Sequence, residues 1–131
     1  MSLIMKKGIY QLVEEANQVV EEISITEALS LYENEGIQFV DLRDIRELNR
    51  EGRIPGAYHC PRGMLEFWID PQSPYAKSIF QQELKFVLFC GGGLRSALAG
   101  KAAIEMGLTD VVHMQGGYSA WRQAGGLIST S

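Results

Sequence analysis

At 131 residues, with 46% hydrophobic and 21% charged residues, the chain has the size and makeup of one globular domain with a real core. A net charge of −4 excludes a basic nucleic-acid-binding surface, and no apolar run approaches the roughly 18 residues of a membrane span. Two cysteines, Cys60 and Cys90, make neither a disulfide framework nor a four-ligand zinc site. With no signal-peptide stretch at the N-terminus, they lead us to expect a reducing cytoplasm.

From Gly8 to Ile23 the apolar residues Ile9, Leu12, Val13, Ala16, Val19, Val20 and Ile23 recur at helical spacing, which predicts an N-terminal helix. Ser24 or Thr26 can cap a second helix, Glu27 to Glu35, closed by Gly36. Ile37 to Leu42 reads as a buried strand with Asp41 near its end. Asp44 to Glu51 reads as a short helix closed by Gly52. A turn at Ile54-Pro55-Gly56-Ala57 leads to a short strand, Tyr58-His59-Cys60, stopped by Pro61. Residues 62–82 are mixed, and Pro71 and Pro74 divide them. Lys85 to Phe89 predicts a strand, about Arg95 to Met106 a helix closed by Gly107, Val111 to Met114 a strand, and Tyr118 to Ala124 a last helix. Strands alternating with helices imply a parallel sheet covered on both faces, with its functional crevice beyond the strand C-termini.

One segment carries chemistry. Cys90-Gly91-Gly92-Gly93-Leu94-Arg95-Ser96 joins the strand ending at Phe89 to the helix after it. Glycines let backbone N–H groups turn inward, and the helix start adds its unpaired first-turn donors and a partial positive charge. Such a cup holds an anion and eases ionisation of a cysteine inside it. Residues 84–131 hold four bases (Lys85, Arg95, Lys101, Arg122) against Glu105 and Asp110, whereas residues 1–35 hold seven acids against Lys6 and Lys7. The Cys90 half is therefore locally positive, as an anion site requires.

Three blocks resemble the rhodanese-like family of single-domain sulfurtransferases: Phe39-Val40-Asp41-Leu42-Arg43 through Arg53-Ile54-Pro55-Gly56-Ala57, Cys90 through Ser96, and Gln115-Gly116-Gly117-Tyr118-Ser119-Ala120-Trp121. The resemblance spans roughly residues 24–124. It implies a three-layer α/β/α domain (24–131) around a central, mainly parallel five-stranded sheet, with residues 1–23 as an added helical extension. It further implies that Cys90 is a nucleophile that takes a sulfane sulfur from a small anionic donor, of thiosulfate or mercaptopyruvate type. The resulting persulfide passes to a thiol, cyanide or protein acceptor. Gly91, Gly92, Gly93, Leu94, Arg95 and Ser96 then form the substrate cradle, and neither cofactor nor metal is called for. Arg53 replaces the histidine frequent in the family before Ile-Pro-Gly-Ala. The neutral Gly91-Gly92-Gly93-Leu94 stretch lacks the loop cations of efficient thiosulfate users and is closer to mercaptopyruvate sulfurtransferases.

Other residues have plainer readings. Cys60 ends an apolar strand and reads as packing. His59 and His113 read as strand histidines with satisfied ring nitrogens, not metal ligands. Arg43, Arg46, Arg50 and Arg53 recur at helical spacing and read as a solvated face laced with Asp44, Glu47 and Glu51. Asp41 is expected to pin a neighbouring loop. Met64 to Phe80 is expected to cover the sheet, with one or two side chains beside Cys90. Two other functions compete: a carrier domain docking a protein partner, and a phosphatase or arsenate reductase. Only four residues separate Cys90 from Arg95, against five in the fold's phosphatases, which weighs against the latter.

Overall fold

The run Phe86 to Phe89 is buried on both faces. Phe86 and Leu88 enter one apolar cluster with Val40 and Leu42, while Val87 and Phe89 enter another with Phe39 and Met114. Alternation of side chains along a strand gives that division, and it places the run in the middle of a sheet. The computed structural model describes residues 3–130. Strands β1 (Glu21–Ile23), β2 (Ile37–Asp41), β3 (Tyr58–His59), β4 (Lys85–Phe89) and β5 (Val111–Met114) form one sheet in the order β1-β5-β4-β2-β3. Every pairing is parallel. Helices α1 (Ile9–Asn17), α2 (Ile25–Leu31), α3 (Ile45–Glu51), α4 (Leu65–Ile69), α5 (Leu94–Met106) and α6 (Gly117–Gln123) flank it. α1 and α4 pack against α5 on one side, and α2 meets α6. This is the α/β sandwich the sequence implies.

The N-terminal segment departs from expectation. α1 stops at Asn17, and Glu21–Ile23 leave the helical register to pair with Val112–Met114. Apolar period alone does not separate the two states here. The β-branched Val19, Val20 and Ile23 suit either, and pairing along β5 decides. The boundary expected at residue 23 thus falls at the end of a sheet strand. α2 also ends early, at Leu31, where Tyr32 turns extended and Glu33 follows in a left-handed conformation. Its cap is Ser24, whose side chain accepts the Glu27 N–H.

The expected arginine face is corrected at one member. Arg46 and Arg50 are exposed and paired with Asp44 and Glu51, and Arg53 reaches Asn49. Arg43 is wholly buried. It precedes α3, so helical spacing does not govern it. Its guanidinium pairs with Asp41 (Nη2–Oδ2 2.8 Å), donates to the Gly52 carbonyl and lies 3.9 Å from the centre of the Tyr118 ring. Asp41 thus pins the segment after β2, as expected. Removing either member of such a buried pair costs about 3–5 kcal/mol.

Candidate active site

The strand C-termini gather along one rim. Leu42 N–H bonds to the Phe89 carbonyl, Cys60 N–H to the Asp41 carbonyl and Gln115 N–H to the Ile23 carbonyl. Cys90 leaves this rim from β4, the middle strand, and four residues later the chain is already helical. Gly93 makes the turn as the N-cap of α5, at φ +104°, a conformation that any Cβ would strain. Its N–H reaches Cys90 Sγ at 3.1 Å.

α6 orients the loop from behind. Tyr118 N–H bonds to the Cys90 carbonyl (2.7 Å) and Ser119 N–H to the Gly91 carbonyl (3.1 Å). Gly117 allows that approach, because a Cβ there would collide with the Cys90 carbonyl. The Cys90–Gly91 and Gly91–Gly92 peptide bonds are trans, so the N–H groups of Gly91 and Gly92 point away from α6. The first turn of α5, whose N–H groups have no partner within the helix, follows directly after Gly93.

Glu47, expected to lace the arginine face, partners the loop instead. Arg95 lies within reach of the Cys90 side chain and also grips Glu47 of α3 through two bonds, Nη1–Oε2 at 2.8 Å and Nη2–Oε1 at 3.0 Å. The pair holds the Glu47 carboxyl down at about 2 and raises Arg95, with the charge of Cys90 adding to the latter. Glu47 also accepts the Asp44 N–H in the capping box that starts α3. The one cation of the loop is therefore already paired.

Among the expected cradle residues, Gly92 and Leu94 are exposed, Gly91 and Arg95 half-buried, and Gly93 and Ser96 buried. Ser96 turns inward, its Oγ within reach of Cys90 Sγ (3.7 Å), the Gly93 carbonyl (3.3 Å) and His113 Nδ1 (3.0 Å). His113, read from the sequence as satisfied, is so, but its partner lies in the site. Sequence spacing could not bring them together, since they are 17 residues apart on different elements. The available signal was a polar residue in the otherwise apolar strand Val111–Met114. His59 bonds through Nε2 to the Arg43 carbonyl. In the 64–80 segment, Leu65, Ile69, Phe80, Trp68 and Ile79 pack on the core, while Phe67 and Tyr75 are exposed and meet edge to face. Among the described residues no cluster of three His, Cys, Asp or Glu is placed to hold a metal ion, and no helix is long and apolar enough to cross a membrane.

A rhodanese-like domain family model matches residues 24–124. The chain belongs to the rhodanese-like family. Among curated proteins, this rhodanese-like domain is 28% identical over 102 residues to the thiosulfate sulfurtransferase GlpE of Shewanella oneidensis, covering 78% of this chain and 92% of that one. Among solved structures, a Rhodopseudomonas palustris protein of unknown function, designated a possible tyrosine phosphatase, is 52% identical with a TM-score of 0.95, covering 98% and 99% of the two chains. The polysulfide-sulfur transferase homodimer of Wolinella succinogenes is 30% identical with a TM-score of 0.67, covering 89% and 83%.

Proposed function

We propose that the protein is a sulfurtransferase that carries a sulfane sulfur as a persulfide on Cys90. The observation that carries this reading is the sulfur held at 3.1 Å by the Gly93 N–H at the start of α5. Such donors stabilise a thiolate and then the terminal sulfur of a persulfide without any general base. In the first half-reaction the Cys90 thiolate attacks the outer sulfur of the donor. With thiosulfate, the S–S bond to the sulfonate breaks and sulfite leaves with the electron pair. In the second, an acceptor thiolate attacks the terminal persulfide sulfur and the Cys90 thiolate departs. The sulfurtransferase names of two relatives support this assignment.

The phosphatase designation of the Rhodopseudomonas relative favours a second reading, phosphate-ester hydrolysis. Two features weigh against it: the cup closes on the sulfur itself, and the Arg95 fork that would clasp phosphate oxygens is occupied by Glu47.

Intact mass after incubation with thiosulfate or 3-mercaptopyruvate tests the proposal. We expect one added sulfur atom, removed by a reductant or by cyanide and absent in Cys90→Ser. A chain that gains no sulfur from either donor but hydrolyses p-nitrophenyl phosphate would establish the second reading. Persulfide formation without turnover onto cyanide or small thiols would identify a carrier that serves a protein acceptor.

A further inference from the structure

Cys90 is tied to a chain of buried polar atoms that sulfur transfer itself does not use. Beyond Ser96 Oγ, 3.7 Å from the sulfur, stands His113 Nδ1 at 3.0 Å, and His113 Nε2 in turn lies 2.6 Å from Asn17 Oδ1. Ser96 and His113 have no solvent exposure, and Cys90 has 1%. The four groups come from the last residue of α1, from β5, from the first turn of α5 and from the end of β4. Register explains the meeting: His113 pairs with Leu88, two residues before Cys90, so all three share one face of the sheet. Asn17 lies outside the residues matched by the family model, so the N-terminal helix supplies the far end of the chain.

Every member can donate or accept. With a neutral thiol the order runs outward: Cys90 S–H donates to Ser96, Ser96 O–H to His113 Nδ1, and His113 Nε2–H to Asn17 Oδ1. With an anionic sulfur the reverse order is the favourable one. A half-turn of the Asn17 amide presents Nδ2–H to Nε2, Nδ1–H donates to Ser96 Oγ, and Ser96 O–H donates to the sulfur.

We propose that Asn17, His113 and Ser96 are positioning residues whose hydrogen bonds reverse direction with the charge on the Cys90 sulfur. The proposal rests on Cys90 being the reacting thiol. Its proton balance is closed. The thiol proton passes to Ser96, the Ser96 proton to Nδ1, and the Nε2 proton to the Glu22 carboxylate, 3.9 Å away and part exposed, and so to water. One proton leaves for each thiolate formed, and nothing is oxidised. The groups facing His113 are Glu22 of β1, Asn17 of α1 and Ser96 of α5; Arg95, which interacts with the Cys90 side chain, is also paired with Glu47. Burial holds the His113 imidazole down at about 4, so it is neutral before and after the exchange. Its tautomer changes and its charge does not.

Imidazole ¹⁵N NMR of the intact protein reads this directly, below and above the pH at which Cys90 alkylation by iodoacetamide is half-maximal. We expect the proton on Nε2 at the lower pH and on Nδ1 at the higher, with one tautomer throughout in Cys90→Ala. An unchanged tautomer across Cys90 ionisation overturns the proposal. Asn17→Asp, isosteric but unable to donate, should hold the Nε2–H form at both pH values; exchange that persists there also overturns it. Ser96→Ala should raise the Cys90 midpoint by about one pH unit, a tenfold loss of thiolate, and an unshifted midpoint removes Ser96 as donor. Sulfur gain is measured separately by mass. Persulfide with a fixed tautomer rejects the reversing chain and keeps sulfur transfer, and tautomer exchange without sulfur gain does the opposite.

Discussion

Cys60 and Cys90 each stand one residue beyond a parallel strand, on the same rim, buried in the same apolar cluster. The residues immediately C-terminal to each thiol separate them. Cys60 precedes Pro61, which has no N–H to offer, and its Sγ reaches the Pro61 carbonyl at 3.8 Å. Burial pushes that thiol up to about 12. Cys90 precedes three glycines and a 13-residue helix, and its Sγ receives an N–H. Burial alone makes a thiol inert; the N–H donor that arrives with the next turn of chain is what the proposed nucleophile has and Cys60 lacks.

The largest expected effect is on that contrast itself. At pH 8, iodoacetamide should modify Cys90 at least about 100-fold faster than Cys60, read by peptide mass, since a thiol with its ionisation near 12 is almost never a thiolate there. Comparable rates would dissolve the distinction.

A smaller effect concerns charge at the cup. Gly92 has ordinary backbone angles and open space where a Cβ would go, so Gly92→Arg should fold and raise kcat/KM for thiosulfate about tenfold by adding one charge-assisted contact. At Gly91 a Cβ would come within 3.1 Å of Arg95 Nη2, so the same change there should gain less. Glu47→Gln should act in the same direction by releasing Arg95, lowering KM for anionic donors while leaving uncharged ones alone. No gain with thiosulfate in either Gly92→Arg or Glu47→Gln would mean that loop charge does not limit the donor step.

A further effect is on stability in alkali. Cys60 is raised in the folded chain above the ordinary thiol value of 9.0, so its contribution is complete below pH 9 and is lost as pH rises from 9 through about 12. Urea midpoints of wild type and Cys60→Ala should therefore converge over that range. Parallel curves would show that Cys60 does not titrate as its burial requires.

The sequence displayed the cup well because its determinants are local. Strand, thiol, glycines and helix start are consecutive, and the apolar run Lys85–Phe89 could be placed only inside a sheet. The hidden features depend on pairing between distant segments. β1 hid inside a helical periodicity until β5 claimed it, and Arg43 looked like a surface charge until Tyr118, from a helix 75 positions later, covered it. Glu47 looked like one of several ion-pair partners on a solvated face, yet it holds Arg95 48 residues away. His113 was legible as a buried polar residue but not as a neighbour of Ser96, because strand register is not written at either position alone.

The grip of α6 on the loop fixes the ring size of the site. Tyr118 and Ser119 N–H hold two successive carbonyls, and Gly117 leaves no slack between the segments. A residue inserted between Cys90 and Gly91 would put a new carbonyl where one of those two now meets α6, whose Trp121 and Tyr118 are buried in the apolar cluster on the other side of the sheet. The gauge of the cup is held by residues 116–121 as firmly as by its own glycines. Redesign toward a bulkier oxyanion has to begin there.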